Sequence, residues 1–457
     1  MRDKAHAGEP AGRLGLTGWV LFDWASQPYY TLVVTFLFGP YFVNGFIADP
    51  ALGSTLWAYA TGIAELIAAL LAPVLGAIAD AGYRRKPWIA AFSVLVVAGL
   101  AGLWLAVPGH TNLAPLVLVS FGLATIGAEL ATVFNNAMMP SLVSGKRLGT
   151  LSGIGWAAGY VGGLASLVVL AGLIVADPNT GKTLLGVEPL IPLDAATREG
   201  DRLVGPFSAL WYLVFVLPLF LFTPDRPAPA SVRAPVRAGL AQLVEGIKEL
   251  YREHRQIALF LIARMLYADG LGAVFAFGGI YAASVFGWGA TELGLFGIIL
   301  TIAGTIGAAL GGPLDDARGS KRVIVVTLAL FILAAIGVLS VDRESVLFVL
   351  PVDAKVTGSA PFSSPGEQVY LAFAILIGLA SGPIQASSRT LLARMCPPDK
   401  ITEFFGFFSF SGKITAFAAP LLIGVVTQAS GSQRIGIASS LLFLLAGLVL
   451  MLRVRAK

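Results

Sequence analysis

Apolar runs of about 20 residues, closed by short polar or glycine-rich breaks, recur along the whole chain, and each can cross roughly 30 Å of hydrocarbon. The pattern predicts twelve spans, near residues 17–45, 55–79, 88–107, 113–137, 148–176, 206–223, 256–286, 291–314, 323–340, 367–392, 403–428 and 435–452. Apolar residues fill these segments instead of alternating with polar ones, which predicts α-helices and excludes a β-barrel of short alternating strands. The polar start, Met1 to Gly15, precedes an apolar run too long for a signal-peptide core, so a retained first helix is expected. The pattern therefore predicts an all-α polytopic membrane protein.

The runs fall into two sets of six. "LGAIADAGYRRKPWI" (Leu75 to Ile89) and "LGGPLDDARGSKRVI" (Leu310 to Ile324) match after a shift of 235 residues, pairing Gly76, Asp80 and Lys86 with Gly311, Asp315 and Lys321. A weaker echo links Phe38–Phe42 to Phe277–Tyr281. Parallel six-helix repeats are the mark of a two-lobed transporter. The expected division is 1–223 for the first lobe, 224–255 for a cytoplasmic linker and 256–457 for the second lobe. The linker opens with a Pro/Ala/Arg stretch. It then spaces Leu240, Leu243, Val244, Ile247 and Tyr251 along one helical face, as in a helix lying on a membrane surface or an ordinary solvated linker helix. Gly155, Gly159 and Gly163, and Gly307 and Gly311, recur at four-residue spacing in the fifth and eighth spans, where the lobes would touch; close helix packing is the favoured role.

Composition narrows the class further. Charged residues make up 12% of the chain against roughly 25% in a soluble protein. The net charge of +5 could suggest an anionic partner, but 22 of the 31 Lys and Arg fall in the termini and alternate loops that would face inward, and 6 in the outer loops. That asymmetry is the positive-inside rule, so the charge reports topology, both termini are expected in the cytoplasm, and nucleic acid is not a partner. The single cysteine, Cys396, forms no disulfide framework and reads as a packing residue, and His6, His110 and His254 lack metal-ligand spacing. No nucleophile–base set, phosphate loop or metal cluster is visible, so neither an enzyme nor a cofactor is expected.

The Gly-x-x-x-Asp…Arg-Arg-Lys loop, present in both halves, resembles the signature loop of the major facilitator superfamily. Four further stretches resemble the autophagy-linked vacuolar amino-acid effluxer group and its bacterial "unknown major facilitator" relatives: "DWASQPYY" (Asp23 to Tyr30), "FNNAMMPSLV" (Phe134 to Val143), "PIQASSRTLLARMCP" (Pro383 to Pro397) and "EFFGFFSFSGKITAFAAP" (Glu403 to Pro420). The group's first motif reads closer to Asp-Trp-Ala-Asn-Ser, so Ser26, Gln27 and Pro28 depart from it. The resemblance implies the major facilitator fold, twelve helices in two six-helix lobes, with helices 1, 4, 7 and 10 lining a central cavity. It also implies that the signature-loop aspartates act at a cytoplasmic gate, here Asp80 with Arg84, Arg85 and Lys86, and Asp315 with Arg318 and Lys321.

Besides Glu65, three carboxylates and three cations lie well inside the spans: Asp23, Glu129 and Asp269; Arg264, Arg389 and Lys413. A carboxylate facing lipid at the bilayer centre costs about 2.5–3.5 kcal/mol, so these groups should face protein or water. Asp23, Gln27 and Tyr30 share a helical face, as do Glu129, Thr132 and Asn136, and Gln385, Ser388 and Arg389. The expected substrate contacts are Asp23, Gln27, Tyr30, Glu129, Asn136, Arg264, Asp269, Gln385 and Lys413, with Glu129 and Asp269 as carriers of a coupling proton. Arg389 reads better as a seam or gate residue that can snorkel to the inner surface. Glu65 reads as a seam or packing residue, and Trp24, Tyr29 and Tyr267 as cavity walls or, more commonly for such aromatics, packing or interface anchors.

The leading expectation is a monomeric secondary transporter in the bacterial inner membrane, moving a small polar or zwitterionic solute such as an amino acid with a proton. The alternatives are a broad-specificity proton-driven exporter of amphipathic compounds and, more remotely, a membrane sensor or enzyme that does not transport.

Overall fold

The computed structural model describes residues 11–81, 84–176, 180–225, 239–356 and 360–455. The Pro/Ala/Arg stretch 226–238 and His6 lie outside them. Sixteen α-helices follow in order among these residues: α1 (Arg13–Pro28), α2 (Phe38–Tyr41), α3 (Pro50–Asp80), α4 (Arg85–Gly102), α5 (Ala114–Leu142), α6 (Leu148–Val169), α7 (Glu199–Phe222), α8 (Gly239–Glu253), α9 (Arg255–Phe286), α10 (Ala290–Arg318), α11 (Ser320–Leu339), α12 (Pro365–Met395), α13 (Ile401–Ser411), α14 (Ala418–Ser430), α15 (Gln433–Ala438) and α16 (Ser440–Arg453). A two-stranded antiparallel hairpin, β1 (Ser345–Val346) with β2 (Leu350–Pro351), sits in the segment between α11 and α12.

Helix starts follow local chemistry. Asp49 accepts from the Ala51 N–H ahead of α3, with Pro50 at the first helical position. Ser364 and Glu367 form a reciprocal capping box at the start of α12.

Ten helical segments are long and apolar enough to cross a membrane among the described residues. The other two expected spans are not regular. The first passes from α1 into a π-helix at Tyr29–Phe36, through α2, and into a second π-helix at Phe42–Phe46. Pro28 and Pro40 lack the N–H that a continuous i→i−4 ladder needs. The eleventh, expected as one helix over 403–428, is broken: between α13 and α14, residues 412–417 form turns, with bonds such as Lys413 N–H to Phe410 O and Ala416 N–H to Lys413 O. A side chain at Gly412 would collide with the Arg264 guanidinium, 2.5 Å from its Nη1.

The chain forms two compact units. One gathers Met1–Ser144, Ala158–Gly239 and Pro398–Ser409; the other gathers Gly145–Ala157, Leu240–Pro397 and Phe410–Lys457. In the first, α4 packs on α5 and α7, α1 on α7, and α3 on α5. In the second, α12 packs on α10 and α11, and α16 on α9. Glycine sets the closest approaches. A Cβ on Gly307 would overlap the Leu379 carbonyl of α12, and one on Gly311 would meet Pro383 at 2.7 Å. These two glycines, expected where the lobes touch, instead let α10 lie against α12. The α6–α10 approach uses other glycines: a Cβ on Gly149 would lie 2.7 Å from Gly312 O. Gly159 and Gly163 lie against Gln27 and its neighbours on the first span.

Two substitutions in α10 separate packing from helix propensity. Gly294→Ala has open space at its Cβ and should leave the unfolding temperature unchanged or raised, since alanine favours a helix by about 1 kcal/mol. Gly307→Ala should lower it, by an overpacking cost of about 1–3 kcal/mol. Thermal unfolding of the purified protein in detergent measures both.

Candidate substrate site and helix-end clamps

In the first unit the polar side chains cluster at the α1-to-π transition. Asp23 and Gln27, both half-buried, flank the place where Gly159 brings α6 close: a Cβ there would sit 3.3 Å from Gln27 Oε1 and 3.5 Å from the Asp23 Cβ. Gln27 Nε2 is 3.5 Å from Thr31 Oγ1. Tyr30 donates to Glu129 Oε1 at 3.2 Å, and buried Tyr29 donates to Thr125 at 2.7 Å. The first π-helix thus aims two tyrosines in succession at α5. Trp24 stacks on Trp211 at 5.8 Å and meets Phe215 edge-on at 5.7 Å.

One buried residue of this unit, Asn135, is absent from the set that the sequence suggests. Asn135 is fully buried, its carbonyl accepts from Trp19 Nε1 at 2.8 Å, and both polar atoms of its side chain lack a hydrogen-bond partner among the described residues. The helical stripe that singled out Asn136, also buried here, passes Asn135 by. Trp24 likewise buries an unpartnered indole N–H.

In the second unit Arg264 of α9 reaches the end of α13, where Nη1 donates to Ser411 Oγ at 3.2 Å. Lys413, half-buried, sits inside the break that follows. Asp269 is 5% exposed, and neither carboxylate oxygen makes a hydrogen bond among the described residues, although Arg264 and Thr415 lie within electrostatic reach. Tyr267 and Ser388 share a 2.7 Å bond across α9 and α12, one turn from half-buried Gln385.

Arg389 does not snorkel. It is 1% exposed, with Nε bound to Ser152 Oγ at 2.9 Å, Nη2 to Ser152 O at 2.7 Å, and the guanidinium 5.5 Å from the Trp156 ring centre. The fork of donors finds its acceptors at the first turns of α6, so the charge stays inside.

The signature loops build two clamps of the same design. Asp80 accepts from the Thr402 and Glu403 N–H groups at 2.7 and 2.8 Å, from Thr402 Oγ1 at 2.7 Å, and from Arg85 at 3.3 Å. Its carboxylate therefore caps the first turn of α13, where a helix presents unsatisfied N–H groups and partial positive charge. In the other unit Asp316 does this for α6, accepting from the Gly149 and Thr150 N–H groups at 2.7 Å each. Asp315, the expected counterpart of Asp80, is instead fully buried and bound to Arg394 at 2.6 Å and Ser320 at 2.9 Å. Arg394 reaches Asp316 as well, at 2.9 Å.

Several expected clamp cations lie elsewhere. Lys86 donates to Phe220 O at 3.0 Å, closing the end of α7, while its N–H and that of Arg85 are capped by Asp225 at 2.9 and 3.2 Å. Lys321 donates to Leu452 O at 2.8 Å, Arg318 is exposed, and Arg84 is an exposed residue preceding α4. Thr402, Asp316, Arg394 and Asp225 complete the clamps. The doubled aspartate of "LDDARG" was a signal for Asp316; nothing local marks the other three.

Ten membrane-length helices among the described residues, two further irregular spans, charged side chains within the spans and paired helix-end clamps fit a major facilitator transporter. The chain belongs to the Atg22-like vacuole effluxer family, whose model matches residues 52–457. It is 25% identical over 440 residues to an uncharacterized MFS-type transporter, YxiO, of Bacillus subtilis, covering 95% of this chain and 93% of that protein. Autophagy-related protein 22-1 of Neosartorya fischeri is 24% identical over 296 residues, 62% of this chain and 44% of the fungal protein, so the chain spans less than half the length of that relative. The fold is that of the human organic anion transporter MFSD10 (TM-score 0.71, 14% identity, 97% of this chain and 100% of that one) and of the transporter FucP (TM-score 0.69, 14% identity, 97% and 99%). It is an integral membrane transporter and not an enzyme.

Neutralising the clamp residues should separate the real partners from bystanders. Arg394→Gln and Asp80→Ala each strand buried charged or N–H partners and should cost about 1–3 kcal/mol of stability. Arg318→Gln and Arg84→Gln, both exposed, should stay within about 0.5 kcal/mol of wild type in the same unfolding assay.

Proposed function

We propose that this protein is a secondary transporter of small zwitterions such as amino acids. The observation that carries the reading is the segregation of charge within the spans. The first unit offers the carboxylates Asp23 and Glu129, and the second mostly cations, Arg264, Arg389 and Lys413, beside the single carboxylate Asp269. In the proposal the solute's ammonium is read by Asp23 or Glu129, with Gln27, Tyr30 and Asn136 as polar neighbours. Its carboxylate is read by Arg264 or Lys413, with Gln385 as a further polar contact. Non-helical backbone at membrane depth is tolerated only against protein or a water-filled cavity. Both irregular spans carry members of this set: Asp23, Gln27 and Tyr30 at the first, Lys413 in the break of the eleventh.

Proton coupling falls to Asp269 and Glu129. Asp269 is the candidate carrier because it is a buried carboxylate within a span, close to Arg264 and Thr415. Glu129, which accepts from Tyr30, is the second candidate carrier. Asp80 and Asp316 act as the gate, each releasing a helix N-terminus when the state changes. The lysine and arginine distribution supports cytoplasmic termini, and the bacterial relative supports a plasma-membrane location. The protein works as a monomer in this reading. The Trp24–Trp211–Phe215 cluster favours a second reading, export of amphipathic compounds, which that surface would suit.

Proteoliposomes with an imposed pH gradient and a panel of labelled amino acids test the proposal. Uptake should occur for at least one, and Asp23→Asn and Lys413→Ala should each reduce it roughly tenfold or more, as loss of a charged contact does. Asp269→Asn should retain counterflow yet lose gradient-driven accumulation. Uptake undiminished in both charge variants would refute the site, and movement of amphipathic cations alone would favour the second reading.

A further inference from the structure

A cleft of about 830 Å³ lies in the second unit, away from the mid-span charges, where the linker helix α8 meets the ends of α9, α11, α12 and α16. Seven of its fifteen lining residues are arginine or lysine, and one, Glu253, is acidic. Two of the seven are already engaged: Arg394 by Asp315 and Asp316, and Lys321 by the Leu452 carbonyl. Arg252, Arg255, Arg318, Arg322 and Arg455 are exposed and make no ion pair with a described residue. Five like charges around one hollow repel one another, an arrangement that an anion relieves.

The backbone adds to the same field. Arg255 and Gln256 open α9, Ser320 and Lys321 open α11, and all four line the cleft. Neither helix start has a side-chain cap. Two helix N-termini of 32- and 20-residue helices thus bring free N–H groups and partial positive charge to the rim of a basic cavity. Guanidinium forks around such groups match phosphate oxygens.

The neighbouring helix indicates where the phosphate comes from. On α8, Leu243 and Leu250 are buried, while Val244, Ile247 and Tyr251 form an exposed row at i, i+3 and i+7. An apolar row beside a basic cleft suits the boundary between head groups and acyl chains. We propose that the cleft binds the phosphate-bearing head group of an anionic phospholipid from the leaflet on which α8 rests, tethering the linker to the second unit.

Binding to the full-length protein in detergent can be followed by native mass spectrometry and thermal shift with phosphatidylglycerol, phosphatidylcholine and inorganic phosphate as separate probes. Phosphatidylglycerol should be retained and stabilising, and phosphatidylcholine not. Arg252→Gln/Arg255→Gln/Arg322→Gln should bind phosphatidylglycerol roughly a hundredfold more weakly, at about 1 kcal/mol per cation lost near an anionic surface. The lipid-free unfolding temperature of this variant should match wild type, because all three side chains are exposed; if it falls, Arg322→Gln/Arg455→Gln serves as the second variant with a roughly thirtyfold loss expected. Equal retention by variants and wild type, or retention of phosphatidylcholine as strong as phosphatidylglycerol, would overturn the site. Stabilisation by inorganic phosphate without retention of lipid would overturn the lipid source.

Discussion

Hydrocarbon solvates neither an ion nor a free amide, and this constraint organises the chain. Each charge within a span and each helix end near the boundary must be answered by the protein itself or by water it admits. The clamps show the economical solution. At Asp80 one carboxylate satisfies two helix-start N–H groups, a hydroxyl and a guanidinium. The same anion that completes α13 is held by Arg85, so neither the helix end nor the acid is left exposed to an apolar medium. Arg389 is likewise answered by the protein, with Ser152 and the Trp156 face among its contacts.

The exceptions then acquire meaning. Asp269 and Asn135 are buried with polar atoms that no described residue satisfies. Buried polar groups of this kind are costly in a purely structural role, which is why the proposal draws on Asp269. The breaks follow the same logic. The π-helix after Asp23 and the turns around Lys413 surrender regular hydrogen bonds at membrane depth, next to the ionisable residues that a polar solute would need.

The duplicated architecture is legible in the sequence because span length and loop charge are properties of composition over twenty residues. The repeated Gly-to-Asp spacing also carries through to the two helix-end clamps. Individual partners are less legible. Aligning the halves pairs Asp80 with Asp315, yet the capping role moves one residue on to Asp316, because Arg394 and Ser320 hold Asp315 inside. Helix rotation, which decides that, is invisible in a shared spacing. Thr402 and Asp225 join clamps more than a hundred residues away in sequence, and only folding brings them there. The break at 412–417 escapes a hydropathy pattern because turns and helix bury apolar residues equally well. Within it, Gly412 leaves room for the Arg264 guanidinium, a long-range relation that no local pattern carries.

The central claim is that Asp23, Gln27, Glu129 and Lys413 within the spans face water and solute and not acyl chains. Single cysteines at Gln27, Glu129 and Lys413, each in a Cys396→Ser background, can be exposed in reconstituted vesicles to a small charged thiol reagent that does not enter lipid. The account predicts modification at all three positions, slowed by a transported solute, with cysteines at the lipid-exposed Leu217 and Leu333 left unmodified. Failure of all three to react, while those outer positions behave as expected, would contradict it.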